Sequence, residues 1–266
     1  MMTRALVFAV AIGAGSGCAA PAAGDRDGAD SASRDRVVVE RLPPGGIGPQ
    51  AAAGPDGTVH VVYFAGDAMA GDVFYLRRQA EGAYTTPVRV NSQPGSAIVA
   101  GTIRGPQLAV GPGGAVHVVW NGSNRARPRP RAFMPVLYAR SNEAGDRFGE
   151  QRNLAVTANG ADGGSTVAAA PDGRVYVAWH TGDEGVSDAR RGVYLVRSTD
   201  EGRTFGDEAR VSPGALGACA CCSMRAFVDR QGAVHLLYRA AADDINRDTV
   251  LLTSTDRGAT FAAVRL

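Results

Sequence analysis

Three cysteines lie close together in the last quarter of the chain, in the run Cys219-Ala220-Cys221-Cys222. Thiolate sulfur is a preferred ligand of soft metals, so a C-x-C-C run at a loop tip is suited to bind Cu(I) or Zn. In an exported protein two thiols can instead form a disulfide, here Cys219 with Cys222, which leaves one free thiol. Both outcomes stay open on the sequence. His180 is the candidate fourth metal ligand.

A second group of residues could bind an anionic ligand, because guanidinium groups hold carboxylate, sulfate or phosphate through paired hydrogen bonds. The arginine-proline run at residues 125–131 offers this chemistry, or it forms a solvated loop stiffened by proline. The candidate ligand-binding residues are Arg104, Arg225, Arg239, Asp243 and Asp244.

The composition limits the class of protein. The chain has 266 residues, 45% of them hydrophobic and 20% charged, so it can bury a core. A net charge of +2 does not indicate a protein that binds nucleic acid. The 35 glycines and 14 prolines favour many turns over long helices.

An internal repeat predicts the elements that position these residues. Each copy places a glycine turn directly before a β-rich run, which is a hairpin signal. The four copies are Gly57 with 59–63, Gly114 with 116–120, Gly173 with 175–179, and Gly232 with 234–238. A residue that recurs at one position of every copy is usually architectural, so we expect His60, His117, Tyr176 and His235 to pack between repeats.

A second hairpin follows in each repeat and ends in a patterned turn. Residues 198–205 and 254–261 match each other as S-T-D-x-G-x-T-F, and residues 141–148 form a degenerate copy. Serine and aspartate side chains accept hydrogen bonds from backbone N–H groups of a turn, glycine allows a positive φ, and the last aromatic residue packs on the core. The structural residues are Ser198, Asp200, Gly202 and Phe205, with Ser254, Asp256, Gly258 and Phe261.

These turns resemble the Asp-box, or BNR, repeats of the sialidase (neuraminidase) superfamily. The resemblance implies an all-β fold, a β-propeller of the sialidase type, with four recognisable four-stranded blades at about 46–91, 104–155, 164–211 and 223–266. In that family the boxes lie opposite the active site and are structural. The loops after each second strand and the links between blades would share the other face, where the arginine, aspartate and cysteine candidates gather.

The resemblance also raises a question of completeness. Sialidase propellers have six blades, so we expect this propeller, over residues 37–266, to be incomplete, with an open edge after the fourth blade. Residues 37–42 are predicted to form a strand without a hairpin partner. The alternative is a compact four-bladed ring to which this strand is added.

The amino terminus predicts export. Arg4 precedes an apolar run of about ten residues, which suits the h-region of a signal peptide over residues 1–17 and is too short to span a membrane. Small residues before Cys18 resemble the lipobox of bacterial lipoproteins, which implies a lipidated Cys18 followed by a flexible tether over 18–36. An ordinary signal peptide is the alternative. We therefore expect a protein of the cell envelope, periplasmic or on the outer surface, in contact with membrane through its lipid alone.

Two functions are compatible with these features. The first is a binding or scaffold module that presents its inter-blade loops to a glycan or another anionic ligand. The second is an exo-sialidase-type glycoside hydrolase, complete or truncated, although none of the candidate arginines maps to a catalytic position of that family. Release of product from a fluorogenic sialoside distinguishes the two.

Overall fold

The computed structural model describes residues 39, 45–54, 56–79, 82–100, 103–129 and 133–266. Contacts within the chain define two units, Met1–Arg41 and Leu42–Leu266, and all the described residues except Val39 belong to the second. The predicted signal peptide, Cys18 and the tether lie outside the described residues, as does the predicted strand at 37–42 apart from Val39. No helix among the described residues is long and apolar enough to cross a membrane.

The described chain is all-β and forms four antiparallel sheets of four strands, each in chain order. Sheet 1 contains β1 (Ile47–Ala53), β2 (Val59–Ala65), β3 (Asp72–Arg78) and β4 (Val88–Arg89). Sheet 2 contains β5 (Gln107–Val110), β6 (Val116–Asn121), β7 (Val136–Arg140) and β8 (Arg152–Asn153). Sheet 3 contains β9 (Ser165–Ala169), β10 (Val175–Thr181), β11 (Gly192–Ser198) and β12 (Ala209–Arg210). Sheet 4 contains β13 (Arg225–Val228), β14 (Val234–Arg239), β15 (Thr249–Ser254) and β16 (Ala262–Arg265).

The predicted glycine turns join the first two strands of each sheet. In sheet 3 the N–H of Gly173 donates to the Ala170 carbonyl at 3.0 Å, and Val175 pairs with Ala169 directly after the turn. Gly173 has a φ of 85°, a value that residues with a Cβ rarely adopt. The turns of the other sheets use glycine in the same way, so the repeat seen in the sequence corresponds to one sheet per copy.

Consecutive sheets pack face to face, with their first strands (β1, β5, β9 and β13) as neighbours. Between sheets 1 and 2 the core contains Phe64 and Trp120, both fully buried. Between sheets 2 and 3 it contains Tyr138 and Trp179, and a third core joins sheets 3 and 4. The alternation of side chains along each strand supplies one apolar face to the preceding sheet and one to the following sheet.

Two histidines of the second strands, His60 and His117, pack between sheets, as predicted. The ring Nδ1 of His117 lies 2.7 Å from the Tyr138 hydroxyl, and His60 makes the same contact with Tyr75 at 2.7 Å. Burial lowers the pKa of His117 to about 3, so this ring is neutral at ordinary pH. His60 and His117 are therefore part of the core.

The two full-length turns at 198–205 and 254–261, which we call the box turns, are held by their own side chains. Ser198 Oγ donates to Asp200 Oδ1 at 2.7 Å and accepts the Gly202 N–H at 2.8 Å. Asp200 also accepts the Thr204 N–H and hydroxyl at 2.8 and 2.7 Å. The ring of Phe205 then packs edge-on against Tyr138 of the preceding sheet, with 4.9 Å between ring centroids. Each box turn thus fixes its own hairpin, and the first also contacts the neighbouring sheet.

Sheet 4 corrects the expectation that His235 packs between repeats, because its ring stacks on Phe227, 5.1 Å between ring centroids, on a face that no described sheet covers. The face that corresponds to the His60 side of sheet 1 carries Phe227, Leu237 and Val264, which are 56%, 38% and 56% exposed. The side chains alternate as they do in the other sheets, but no sheet within the described part of the chain packs on this face.

We expect Asp200→Asn to destabilise the protein by about 1–2 kcal/mol at neutral pH, because a charged acceptor of several hydrogen bonds is lost. Partial burial raises the pKa of Asp200, but hydrogen bonds from Thr204, Ser198 and Arg203 outweigh it and lower the pKa to about 2. A carboxyl whose pKa is depressed on folding stabilises above its unfolded pKa near 4 and loses that contribution as pH falls through 2. The difference in free energy of unfolding between wild type and Asp200→Asn should therefore disappear as the pH falls.

Urea unfolding at a series of pH values checks this expectation. Asp207→Asn, at an exposed carboxylate just after the same turn, is the control and should change stability little. A gap between wild type and Asp200→Asn that stays constant from pH 7 to pH 2 contradicts this account of the turn.

Candidate functional site

The three cysteines lie on the link between β12 and β13, in a turn that we call the cysteine turn (residues 219–222). The Cys222 N–H donates to the Cys219 carbonyl at 3.2 Å, and the Cys219 N–H donates to the Arg239 carbonyl at 2.9 Å. These bonds bring the sulfurs together: Cys219 Sγ lies 3.3 Å from Cys221 Sγ and 3.1 Å from Cys222 Sγ. Cys219 is buried, Cys222 is half-buried and Cys221 is exposed, and all three are free thiols.

This triangle of sulfurs has the size of a metal site. The third edge, from Cys221 Sγ to Cys222 Sγ, is 4.0 Å. An ion equidistant from the three sulfurs and slightly out of their plane would make three bonds of about 2.3 Å, the usual length of a Zn–S bond. Cys219, Cys221 and Cys222 thus offer three sulfur ligands to a soft metal ion at one point of the surface.

Two arginines lie beside the sulfurs and favour the thiolate form. Arg239 Nη1 is 3.9 Å from Cys222 Sγ, and the Arg247 side chain hydrogen-bonds to Cys219. Burial raises the pKa of the Cys219 thiol, but hydrogen bonds from the other two thiols and from Arg247 outweigh it and lower the pKa below its ordinary value. Burial and the bond given to Cys219 raise the pKa of Cys222 to about 11. Cys219 is therefore the first of the two to ionise.

Asp188 connects the cysteine turn to the preceding sheet. It begins a short 3-10 helix (Asp188–Arg190) after β10, and its carboxylate accepts hydrogen bonds from Arg247 at 2.5 Å and from the Ala220 N–H at 3.4 Å. Arg191 reaches the same carboxylate at 3.3 Å and also pairs with Asp162. A chain of alternating charges therefore links the loops of sheets 3 and 4 beneath the thiols.

His180 occupies a different place from the one predicted for a metal ligand. Its ring Nε2 lies 2.7 Å from the carbonyl oxygen of Cys222, not at the sulfurs, and the ring is 2% exposed. Burial lowers the pKa of His180, so the ring is neutral and Nε2 can donate this bond. Its Nδ1 is buried without a hydrogen-bond partner among the described residues. In this arrangement His180 supports the backbone of the cysteine turn.

The five predicted ligand-binding residues do not meet at one site. Arg104 donates to the Asp162 carbonyl at 2.5 Å, and Arg225 lines a cavity of about 120 Å³ near β1 and β5. Asp244 accepts the Ala189 N–H at 2.9 Å, and its neighbour Asp243 shares its positive φ. Only Arg239 lies at the cysteines.

The site also contains Asp188, Arg191 and Arg247, which the sequence places on the loop face but which are not among the predicted ligand-binding residues. They are three of many charged residues in the loops, and no spacing sets them apart, because Asp188 and Arg247 are 59 positions apart. The one available signal was that their loops follow the second strands of adjacent repeats, on the face of the cysteine turn.

Comparison with known proteins addresses the fold. No family model matches the chain, and no curated protein matches it. A protein of unknown function from Dyadobacter fermentans DSM 18053 is 14% identical, with a TM-score of 0.57 over 83% of this chain and 69% of that one. The Trypanosoma rangeli sialidase in complex with the inhibitor DANA is 15% identical, with a TM-score of 0.56 over 83% of this chain. A Penicillium chrysogenum alpha-L-arabinanase complexed with arabinobiose is 12% identical, with a TM-score of 0.55 over 85% of this chain.

The last two are β-propeller glycoside hydrolases. The fold is a β-propeller. Each of the four described sheets corresponds to one blade, and the cysteine turn lies on the loop face between the third and fourth of these blades. This chain spans 67% of the arabinanase chain and 38% of the sialidase chain. At these identities the likeness concerns the propeller fold alone.

We expect Gly163→Ala to disturb the cysteine turn, because a Cβ at Gly163 would overlap the His180 ring and the Ala220 carbonyl oxygen. The variant should lose about 1–3 kcal/mol of stability, and the reactivity of its thiols should change as the turn shifts. Urea unfolding and the rate of reaction with a thiol reagent measure both effects. Gly214→Ala, where the added Cβ meets nothing within 4 Å, is the matched control. Thiol rates equal to those of wild type would show that His180 and Gly163 do not position the turn.

Proposed function

We propose that this protein is a propeller-type binding module of the cell envelope, and that it binds one soft metal ion at the cysteine turn. The observation that carries the proposal is the convergence of three free thiols, whose sulfurs all lie within 4.8 Å of one another. The turn is held from several sides, by His180 at the Cys222 carbonyl and by Asp188 at the Ala220 N–H. A site built this way needs little rearrangement when the ion binds.

The ligand set favours Cu(I) over Zn. Structural zinc sites are closed by four protein ligands, and no fourth histidine, cysteine or carboxylate joins the cluster among the described residues. Soft thiolate ligands suit Cu(I), and a bound Cu(I) ion would be held by the three sulfurs of this cluster. The guanidinium groups of Arg239 and Arg247 offset the negative charge that three thiolates would place there.

Titration of the reduced protein with Cu(I) under anaerobic conditions, against a chromogenic chelator, tests the metal proposal. We expect one ion per chain, and a loss of at least about tenfold in affinity for Cys219→Ser and for Cys222→Ser, because each removes one of three ligands. Ser223→Ala, next to the turn, is the control. A reduced protein that binds neither Cu(I) nor Zn, and that readily forms a Cys219–Cys222 disulfide, contradicts the proposal.

We also propose that the module is exported and held to a membrane by lipid on Cys18. What supports this is the apolar run that precedes Cys18 and the polar segment that follows it, which separates the anchor from the propeller. Wild-type protein expressed in a Gram-negative host should sediment with membranes, and Cys18→Ser should be released into the soluble periplasmic fraction. Equal partitioning of the two proteins would mean that Cys18 carries no anchor.

A further inference from the structure

A repeated arginine lies between consecutive blades at the end opposite the cysteine turn. In blades 2 and 3 it lies at the carboxyl end of the third strand, and it pairs across the sheet with the architectural residue of the second strand. In blade 2 the pair is Arg140 and His117, and in blade 3 it is Arg197 and Tyr176. This arginine reaches towards the box turn of the next blade, so that turn determines which partner the arginine finds.

At the interface of blades 2 and 3 the partner is a carboxylate. Arg140 Nε donates to the Glu201 carbonyl at 2.8 Å, and Arg140 Nη2 donates to Glu201 Oε2 at 3.3 Å. Glu201 is the fourth residue of its box turn and has a positive φ of 56°. The guanidinium is thus satisfied by the backbone and the side chain of Glu201, with a third bond to the Ser141 carbonyl at 3.1 Å.

At the interface of blades 3 and 4 the carboxylate is replaced by a second guanidinium. The fourth residue of the last box turn is Arg257, with the same backbone conformation, at a φ of 63°. Arg197 Nη1 keeps a bond to the Arg257 carbonyl, at 3.4 Å, but no acidic side chain replaces that of Glu201. The interface therefore brings two positive groups together where the preceding one pairs opposite charges.

Neither guanidinium pairs directly with a carboxylate within the described part of the chain. There the Arg257 guanidinium makes no hydrogen bond or salt bridge, and that of Arg197 makes only the carbonyl contact. A third arginine, Arg174, also acts electrostatically on the buried Tyr176 and is paired with Asp172. The carboxylate of Asp256 is nearby, but its oxygens accept hydrogen bonds from its own box turn.

A cavity of about 530 Å³ opens over these groups. Its walls include the three arginines, Thr199 and Phe205, and two acids, Asp207 and Asp256. The space is larger than a single inorganic ion needs, so it can also admit a small molecule that carries an anionic group.

We propose that this cavity is an anion-binding site for a phosphate or sulfate group, held between the guanidinium groups of Arg197 and Arg257. A divalent tetrahedral oxyanion would neutralise both unpaired charges and could accept paired hydrogen bonds from each. It would take the place that the Glu201 carboxylate fills one blade earlier. The site lies at the other end of β10 from the cysteine turn and is independent of the metal proposal.

The test compares Arg257→Glu with Arg230→Glu. Arg257→Glu recreates the pair of blades 2 and 3 and should remove the site, whereas Arg230→Glu makes the same change of charge at an exposed arginine on the same face. Binding of inorganic phosphate, inorganic sulfate, glucose 6-phosphate and glucose is measured by calorimetry at constant ionic strength. We expect phosphate binding by wild type and by Arg230→Glu, and a loss of at least about tenfold in Arg257→Glu. Without ligand, Arg257→Glu should unfold at a higher temperature than wild type.

Each other outcome has a definite meaning. Tighter binding of glucose 6-phosphate than of phosphate would identify a sugar-borne group as the ligand, and equal binding would identify the free ion. Arg197→Gln, which replaces the second guanidinium by an uncharged amide, should lose phosphate affinity by the same factor. This variant replaces Arg257→Glu in the test if Arg257→Glu does not fold. Absence of binding by wild type, or an equal loss in Arg230→Glu and Arg257→Glu, overturns the proposal.

Discussion

Face-to-face packing of consecutive sheets is the constraint on which the rest of the structure depends. Each four-stranded sheet is too small to bury its side chains alone, and its two apolar faces are covered only by neighbouring sheets. Large aromatic residues such as Trp120 and Trp179 fill the spaces between blades and are fully buried there. Because the packing distance between the sheets is fixed, the loops at the two ends of each interface are brought to fixed separations as well. Both candidate sites lie at the interface of blades 3 and 4, one at each end.

Buried ion pairs hold together the loops of blades 3 and 4 on the face of the cysteine turn. Arg191 is 9% exposed and lies between Asp162 and Asp188, and Arg247 extends the series to Cys219. A buried ion pair contributes little net stability when intact, but removal of one partner costs about 3–5 kcal/mol, so such a network strongly disfavours other arrangements. The cysteine turn is attached to this network through the Ala220 N–H. The positions of the thiols are therefore determined by contacts between blades as much as by the turn itself.

The sequence allowed the fold to be predicted further than the site. Glycine turns at Gly57, Gly114, Gly173 and Gly232 and the matching box turns are local signals, and each recurs often enough to be recognised. The gathering of the three cysteines is also local. The role of His180 is not a local feature of the sequence, because its ring bonds to a backbone carbonyl 42 positions away. Every residue has a backbone carbonyl, so the residue type at that position does not indicate this bond. The residue pattern of the last sheet does not reveal that Phe227 is exposed, since the alternation of its strand is the same as in buried sheets.

The central claim is that the cysteine turn presents three thiolates to one ion while His180 stays with the backbone. X-ray absorption at the copper edge, on reduced protein loaded with one equivalent of Cu(I), tests this claim most directly. The account predicts a first shell of three sulfur atoms and no nitrogen, unchanged in His180→Gln. A shell with two sulfurs and a nitrogen that disappears in His180→Gln would contradict it.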